Sequence, residues 1–180
     1  GGHGLSPVYE AILNDELGRA GAPPIEGVGH LTNALRLFGS EQQRDELLQG
    51  LLSGAVRWCQ GFSEPDAGSD LASLQCRAVL SDDGTHYKLN GSKIWTTHAH
   101  WANKMFALVR TSKQERKQQG ITFLLIEMDS PGIEVQPLVF ASGEQVQAQV
   151  FFDGVRVPKK NVLGTIDDGW TVAKYLLVFE

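Results

Sequence analysis

Cysteine is scarce in this 180-residue chain, which has two, Cys59 and Cys76. Two thiols are too few for a disulfide framework, so reduced thiols and a cytoplasmic setting are expected. No apolar run approaches the roughly 20 residues that a membrane-spanning helix needs, and the first residues carry no secretory signal. Positive charge is also short: 16 Lys and Arg stand against 21 Asp and Glu, for a formal net charge of -5. The basic residues are scattered, which leaves no electrostatic footprint for nucleic acid. The one dense basic stretch, Lys113 to Lys117, includes Glu115 and sits among glutamines, as a solvated loop does. An internal repeat, a low-complexity tract and the Gly-x-Gly-x-x-Gly fingerprint of a parallel dinucleotide-binding sheet are all missing.

What is there begins as helix. Ser6-Pro7 places a hydroxyl at a cap and proline in the first turn of a segment that runs through Leu17. A second helix is expected from about Ile25 to Phe38, closed by Gly39. Ser40 with Gln43 three residues on reads as a capping box for a third, ending near Gly54. From Val56 the periodicity turns to short apolar or alternating runs: Val56 to Gln60, Leu74 to Leu80, His86 to Leu89, Lys93 to Thr97, Met105 to Val109, Ile121 to Met128, Ile133 to Leu138 and Gln147 to Asp153. Asp83-Gly84 and Asn90-Gly91 are expected hairpin turns, and the strand spacing suggests a barrel or sandwich. Asp167-Asp168-Gly169 reads as the cap of a further helix. The sequence opens at Gly1 without a methionine and closes at Glu180 within an apolar, helix-like run. An uncovered apolar helix face there reads as an interior segment of a longer protein.

Two motifs carry the chemistry: Gly61-Phe62-Ser63-Glu64-Pro65-Asp66-Ala67-Gly68-Ser69-Asp70, and Asn90-Gly91-Ser92-Lys93-Ile94-Trp95-Thr96-Thr97. The first is a turn-forming loop rich in hydroxyls and backbone donors; the second ends in an aromatic plane beside two hydroxyls. A planar, phosphorylated cofactor needs those parts together, which points to a flavin. An isoalloxazine ring wants an aromatic plate on one face and donors along the edge where negative charge grows on reduction. Its pyrophosphate wants uncharged donors such as the amides of a Gly-containing turn. Trp95 suits the plate. Strand alternation puts Thr97 on the same side, within reach of the ring edge. Ser63 and nearby amides supply further ring donors, with Gly68 and Ser69 near the phosphates. Taken singly, Trp95 is more often core, Ser69-Asp70 a turn, and Cys59 a buried small hydrophobe. Glu64, before Pro65 in a loop, reads as a structural acceptor rather than an acid or base. His98-Ala99-His100 has no third ligand at a usual metal-site spacing.

Taken together, Glu64-Pro65-x-Ala67-Gly68-Ser69-Asp70 followed by Leu89-Asn90-Gly91-x-Lys93-x-Trp95-x-Thr97 resembles the acyl-CoA dehydrogenases. The likeness continues through Gly120 to Leu125, Pro131-Gly132-Ile133 and Val150 to Pro158, and reaches back to Phe38 to Gln43 and Leu51 to Gly54. Cys59-Gln60-Gly61-Phe62-Ser63 looks like a bacterial subgroup that includes pimeloyl-CoA-dehydrogenase-like enzymes. The resemblance implies a multi-domain α and β protein. Residues 1–55 would be part of a helical N-terminal domain, 56–165 an antiparallel β-barrel middle domain, and 166–180 the first helix of a C-terminal bundle. It implies FAD held by Gln60, Gly61, Phe62, Ser63, Gly68, Ser69, Trp95, Thr96 and Thr97, with Ser69 also near the acyl-CoA and Thr97 donating to N5. The implied reaction is α,β-dehydrogenation of an acyl-CoA thioester, with electrons leaving to an electron-transferring flavoprotein and the full-length enzyme a homo-oligomer, usually a tetramer. In the family the catalytic carboxylate lies on the C-terminal bundle, so no residue of this chain inherits it and the isolated chain is expected to be inactive. Leu138 to Gln149 matches the family pattern poorly. An acyl-CoA oxidase or flavin monooxygenase of the same fold is the alternative reaction, and a non-catalytic scaffold domain the alternative class.

Overall fold

Each helix forms where its capping chemistry permits. The computed structural model describes residues 4–22 and 29–179. Helix α1 (Pro7–Arg19) starts with proline in its first turn and the Ser6 hydroxyl accepting from the Val8 amide. Helix α2 (Gly29–Phe38) ends as expected; the expected start at Ile25 lies outside the described residues. Helix α3 (Glu41–Leu52) carries the full capping box: Ser40 Oγ accepts from the Gln43 amide at 3.1 Å, and Gln43 Oε1 accepts from the Ser40 amide at 3.0 Å. Gln43 also spends its side-chain amide on the Lys160 and Val162 carbonyls, tying α3 to the far end of the sheet.

The strands are β1 (Trp58–Gly61), β2 (Arg77–Leu80), β3 (His86–Thr97), β4 (Lys104–Arg110), β5 (Ile121–Glu127), β6 (Ile133–Pro137), β7 (Gln147–Pro158) and β8 (Val162–Leu163). Helix α4 (Gly169–Leu176) follows. The strands do not form the expected antiparallel barrel. The strands form one mixed, unclosed sheet in the order β6-β7-β3-β2-β4-β5-β8, with β1 added beside β4. Closure fails because the outer strands β6 and β8 do not pair with one another. The sheet is mixed because β1 and β2 both run parallel to β4. It nonetheless curls far enough to bury both faces of its centre. Phe106 and Leu108 of β4, with Ile121, Phe123 and Leu125 of β5, pack under Leu31 and Leu35 of α2, Leu51 of α3 and Val172 and Leu176 of α4. The alternate residues Met105, Ala107, Val109, Leu124 and Ile126 pack against Leu89, Val150, Phe152 and Val155 of β3 and β7. Burial on both faces is why β4 and β5 read as continuous apolar runs rather than alternating ones.

A second correction concerns Asn90-Gly91, expected as a hairpin turn. It lies inside β3, which runs unbroken for 12 residues. The ladder to β7 shifts register between Leu89 and Gly91, and Asn90 Oδ1 accepts from the Gly154 amide at 2.8 Å, so the pair marks a bulge. Gly91 has φ +136°, and a Cβ there would stand 2.9 Å from the Cys76 Cα. The glycine therefore serves a close backbone approach, which local turn statistics do not distinguish from a hairpin. Among the described residues no helix is long and apolar enough to cross a membrane.

Candidate functional site

The first motif occupies a split in the sheet. β1 leaves β4 at Gly61 opposite Ala107, and β2 joins it at Arg77 opposite Arg110. Phe62 to Cys76 spans that gap as a loop. Its turn is closed by two backbone bonds of 3.0 Å, Glu64 N–H to the Ala67 carbonyl and Ala67 N–H to the Glu64 carbonyl. A single 3₁₀ turn, Leu71–Ser73, completes it. The β2 strand starts later than expected because the Glu64 carboxylate takes the amides of Gln75 and Cys76, at 2.6 and 2.9 Å, before the ladder can.

The second motif runs beside that loop. The Ile94 amide donates to the Ser63 carbonyl at 2.9 Å. Lys93, fully buried, donates from Nζ to the Phe62 carbonyl at 3.0 Å and to Glu64 Oε1 at 2.8 Å. These contacts hold the two motifs together. Glu64 is the structural acceptor its position suggested. The motif pattern alone assigns Lys93 no role; the signal that reveals one is a lysine on the inward phase of a strand, which needs a buried partner.

Between the motifs lies a cleft of about 410 Å³, lined by His30, Trp58, Cys59, Gln60, Phe62, Ser63, Ile94, Trp95, Thr97, His98 and Phe106. Of the residues singled out from sequence, Gln60, Phe62, Ser63, Trp95 and Thr97 meet here. Trp95 and Thr97 share a side, as alternation expects, but a bulge decides which way that side faces. Lys93 pairs with Val150 but Thr96 with Ala148, so β3 carries one extra residue between them. That bulge puts both Lys93 and Thr96 inward and leaves Trp95 and Thr97 facing out. Trp95 has φ +60° and His98 φ +57°, conformations that bulky side chains seldom adopt. Strain of this kind persists where the surroundings over-determine it, and it gathers at binding sites. Trp95 is 54 % exposed. His98 stacks on Trp101 with ring centroids 5.1 Å apart.

The remaining expected site residues do not line the cleft. Thr96 is fully buried with its hydroxyl unpartnered among the described residues, so its side chain belongs to the sheet interior. Gly61 is buried on β1, and a Cβ there would meet the Met105 sulfur at 2.5 Å, so it serves strand packing. Gly68 and Ser69 are exposed at the far end of the loop, beside Asp70, which pairs with Lys117 at 2.7 Å. Cys59 and Cys76 are free and buried, and burial pushes each thiol up to about 12. Among the described residues no group of three or more His, Cys, Asp or Glu is placed to hold a metal ion. Among the described residues no carboxylate lines the cleft. The cleft brings together the exposed Trp95, the hydroxyl-bearing Ser63 and Thr97, and the buried rings of Phe62 and Phe106.

The model of the acyl-CoA dehydrogenase middle domain matches residues 59–155, and that of the N-terminal domain residues 1–55. The chain is 40 % identical over 185 residues to acyl-CoA dehydrogenase IpdE1 of Mycobacterium tuberculosis, covering all of this chain and 47 % of that protein. It is 36 % identical to the human mitochondrial very long-chain specific acyl-CoA dehydrogenase, over 78 % of this chain and 22 % of the relative. Among solved structures, the Tcur3481-Tcur3483 steroid ACAD superposes with a TM-score of 0.88 at 36 % identity, covering 98 % of this chain and 45 % of that one. The chain thus spans about half the length of the IpdE1 proteins it matches.

Proposed function

The chain belongs to the acyl-CoA dehydrogenase family, and on that premise we propose that it forms the flavin-holding wall of an FAD-dependent enzyme that desaturates an acyl-CoA thioester between its α and β carbons. The observation that carries this reading is the convergence of Ser63, Trp95 and Thr97 on one cleft, with their two motifs joined by Lys93 and by the Ile94–Ser63 bond. The donor set fits a flavin. Trp95 would offer a plane for the ring, and the Ser63 and Thr97 hydroxyls would supply donors to its edge. Gln60 and Phe62 would contribute backbone groups beside them. Phe106 and Phe62, both buried, would give the bound ring an apolar wall. Gly68 and Ser69, exposed along the loop, would meet the pyrophosphate and the acyl-CoA through amides and a hydroxyl. Thr96 and Gly61 would act from within the sheet by setting the backbone.

When bound, FAD supplies the acceptor for the hydride that leaves the β carbon. This chain's residues orient that acceptor and stabilise the charge that gathers along its edge. The proton on the α carbon needs a carboxylate base. Among the described residues none lines the cleft; on this reading the base stands on the C-terminal bundle of the complete protein, and residues 1–180 alone are expected to be inactive. Residues 1–55 serve as part of the helical N-terminal domain, 56–165 as the middle domain, and 166–180 as the entry to the C-terminal bundle. A homo-oligomeric complete protein that passes electrons to an electron-transferring flavoprotein in fatty-acid metabolism follows from the same reading.

Anaerobic addition of acyl-CoA thioesters of graded chain length to the complete, flavin-loaded protein tests it. Bleaching of the flavin band with formation of the 2-enoyl product is expected. A protein that purifies and remains without flavin, or whose flavin no thioester reduces, overturns the reading.

A further inference from the structure

Neither Lys93 nor Glu64 lines the cleft, yet the pair grips one residue that does, Phe62. Lys93 is fully buried and Glu64 nearly so. Removing two charges from water costs several kcal/mol per ion, and an apolar pair of similar volume often serves stability as well or better. A buried pair at this junction therefore calls for a reason beyond stability, and its bonds indicate one. Lys93 Nζ holds the Phe62 carbonyl at 3.0 Å, and the Ile94 amide holds the Ser63 carbonyl at 2.9 Å. Both carbonyls flanking the Ser63 residue are thus turned onto β3. In a trans peptide unit the N–H points opposite to the C=O. Fixing Phe62 O on Lys93 therefore fixes the heading of the Ser63 amide away from Lys93, on a residue that lines the cleft. Among the described residues that amide has no acceptor. Glu64 holds the other end: it accepts from Lys93, Cys76 and Gln75, so the loop cannot rotate about Lys93 without breaking three bonds.

We propose that Lys93, locked by Glu64, is a positioning residue that sets the Phe62–Ser63 peptide unit and so aims the Ser63 amide at the ring edge of the bound flavin. This rests on the flavin reading above. Because that edge gains negative charge on reduction, a correctly aimed donor favours the reduced flavin more than the oxidised one.

The test uses the complete protein and the double variant Lys93→Met with Glu64→Gln, which removes the hold on Phe62 without leaving a lone buried charge. FAD affinity and the flavin midpoint potential are both measured. The account expects a folded protein with oxidised-FAD affinity weakened about ten-fold. Reduced-FAD affinity weakens about ten-fold further, which reads as a midpoint potential lower by about 30 mV. The exposed-pair variant Arg19→Gln should move neither. A purely structural role weakens both redox forms alike, so an unchanged potential overturns the proposal. Should the double variant not fold, Lys93→Gln with Glu64→Gln is measured instead, and an unchanged potential there overturns it equally. A wild-type protein that binds no FAD overturns the flavin reading, and this inference with it.

Discussion

Truncating Phe106 to alanine perturbs the cleft wall and the contact between α2 and the sheet in one step. Phe106 is 2 % exposed. Its ring lies parallel to Phe123 at 5.8 Å, meets Phe62 edge-on at 5.8 Å, and meets His30 of α2 at 5.6 Å. Phe106→Ala removes the side chain from a site walled by β1 on one side and β5 on the other, which has little freedom to collapse. A loss of about 3–5 kcal/mol is expected. Each aromatic pair accounts for about 0.5–1.5 kcal/mol of that loss, so a double-mutant cycle with Phe62→Leu should return a coupling in that range. Urea unfolding followed by circular dichroism reads the loss as a lower midpoint at an unchanged slope. For a domain of this size the melting temperature should fall by about 6–20 °C. A loss below about 1 kcal/mol would refute the reasoning, because it would mean that the ring is not the close-packed wall these contacts describe.

Lys93→Met alone should destabilise by about 3–5 kcal/mol, since it strands the Glu64 carboxylate, and adding Glu64→Gln should recover most of that loss in the same urea assay. Trp95→Gly should stabilise the flavin-free protein by about 1 kcal/mol by relieving the positive φ, whereas Trp95→Ala should not; calorimetry of both variants checks this. Neither Cys59 nor Cys76 should react with a thiol reagent in the native protein at pH 8, and both should react in urea, because burial holds each thiol up to about 12. The same shift has a sign. The folded state holds these protons more tightly, so the stability they contribute is complete below the unfolded thiol value of about 9 and is lost as pH rises toward about 12. Urea midpoints that rise across that range would contradict it.

The parts of the fold that were legible in the sequence are those whose causes are local. The Ser40–Gln43 capping box, the proline at the start of α1 and the two-sided apolar runs of β4 and β5 each follow from residues within one turn or one strand. Asn90-Gly91 was not legible, because the meaning of Gly91 depends on Cys76, which a different strand pairing brings alongside. The same holds for closure of the sheet, which depends on whether β6 and β8 find each other across the whole domain. At the site, the aromatic and hydroxyl identities of Trp95, Thr97 and Ser63 were readable as chemistry. That Trp95 and Thr97 share a side was readable as well; that this side turns outward to meet Ser63 was not, since it depends on a one-residue bulge that strand periodicity passes over. Thr96 shows the cost: it looks equivalent to Thr97 in sequence, yet it faces the interior.

The central claim is that this cleft holds a flavin against Trp95. Titrating FAD into the flavin-free complete protein while recording tryptophan fluorescence tests it most directly, with Trp95→Leu and Thr97→Val alongside. Saturable quenching at one FAD per chain is predicted, with a smaller amplitude in Trp95→Leu because Trp58 also lines the cleft, and weaker binding in both variants. Saturable FAD binding with quenching and affinity untouched by either substitution would place the cofactor elsewhere and contradict the claim.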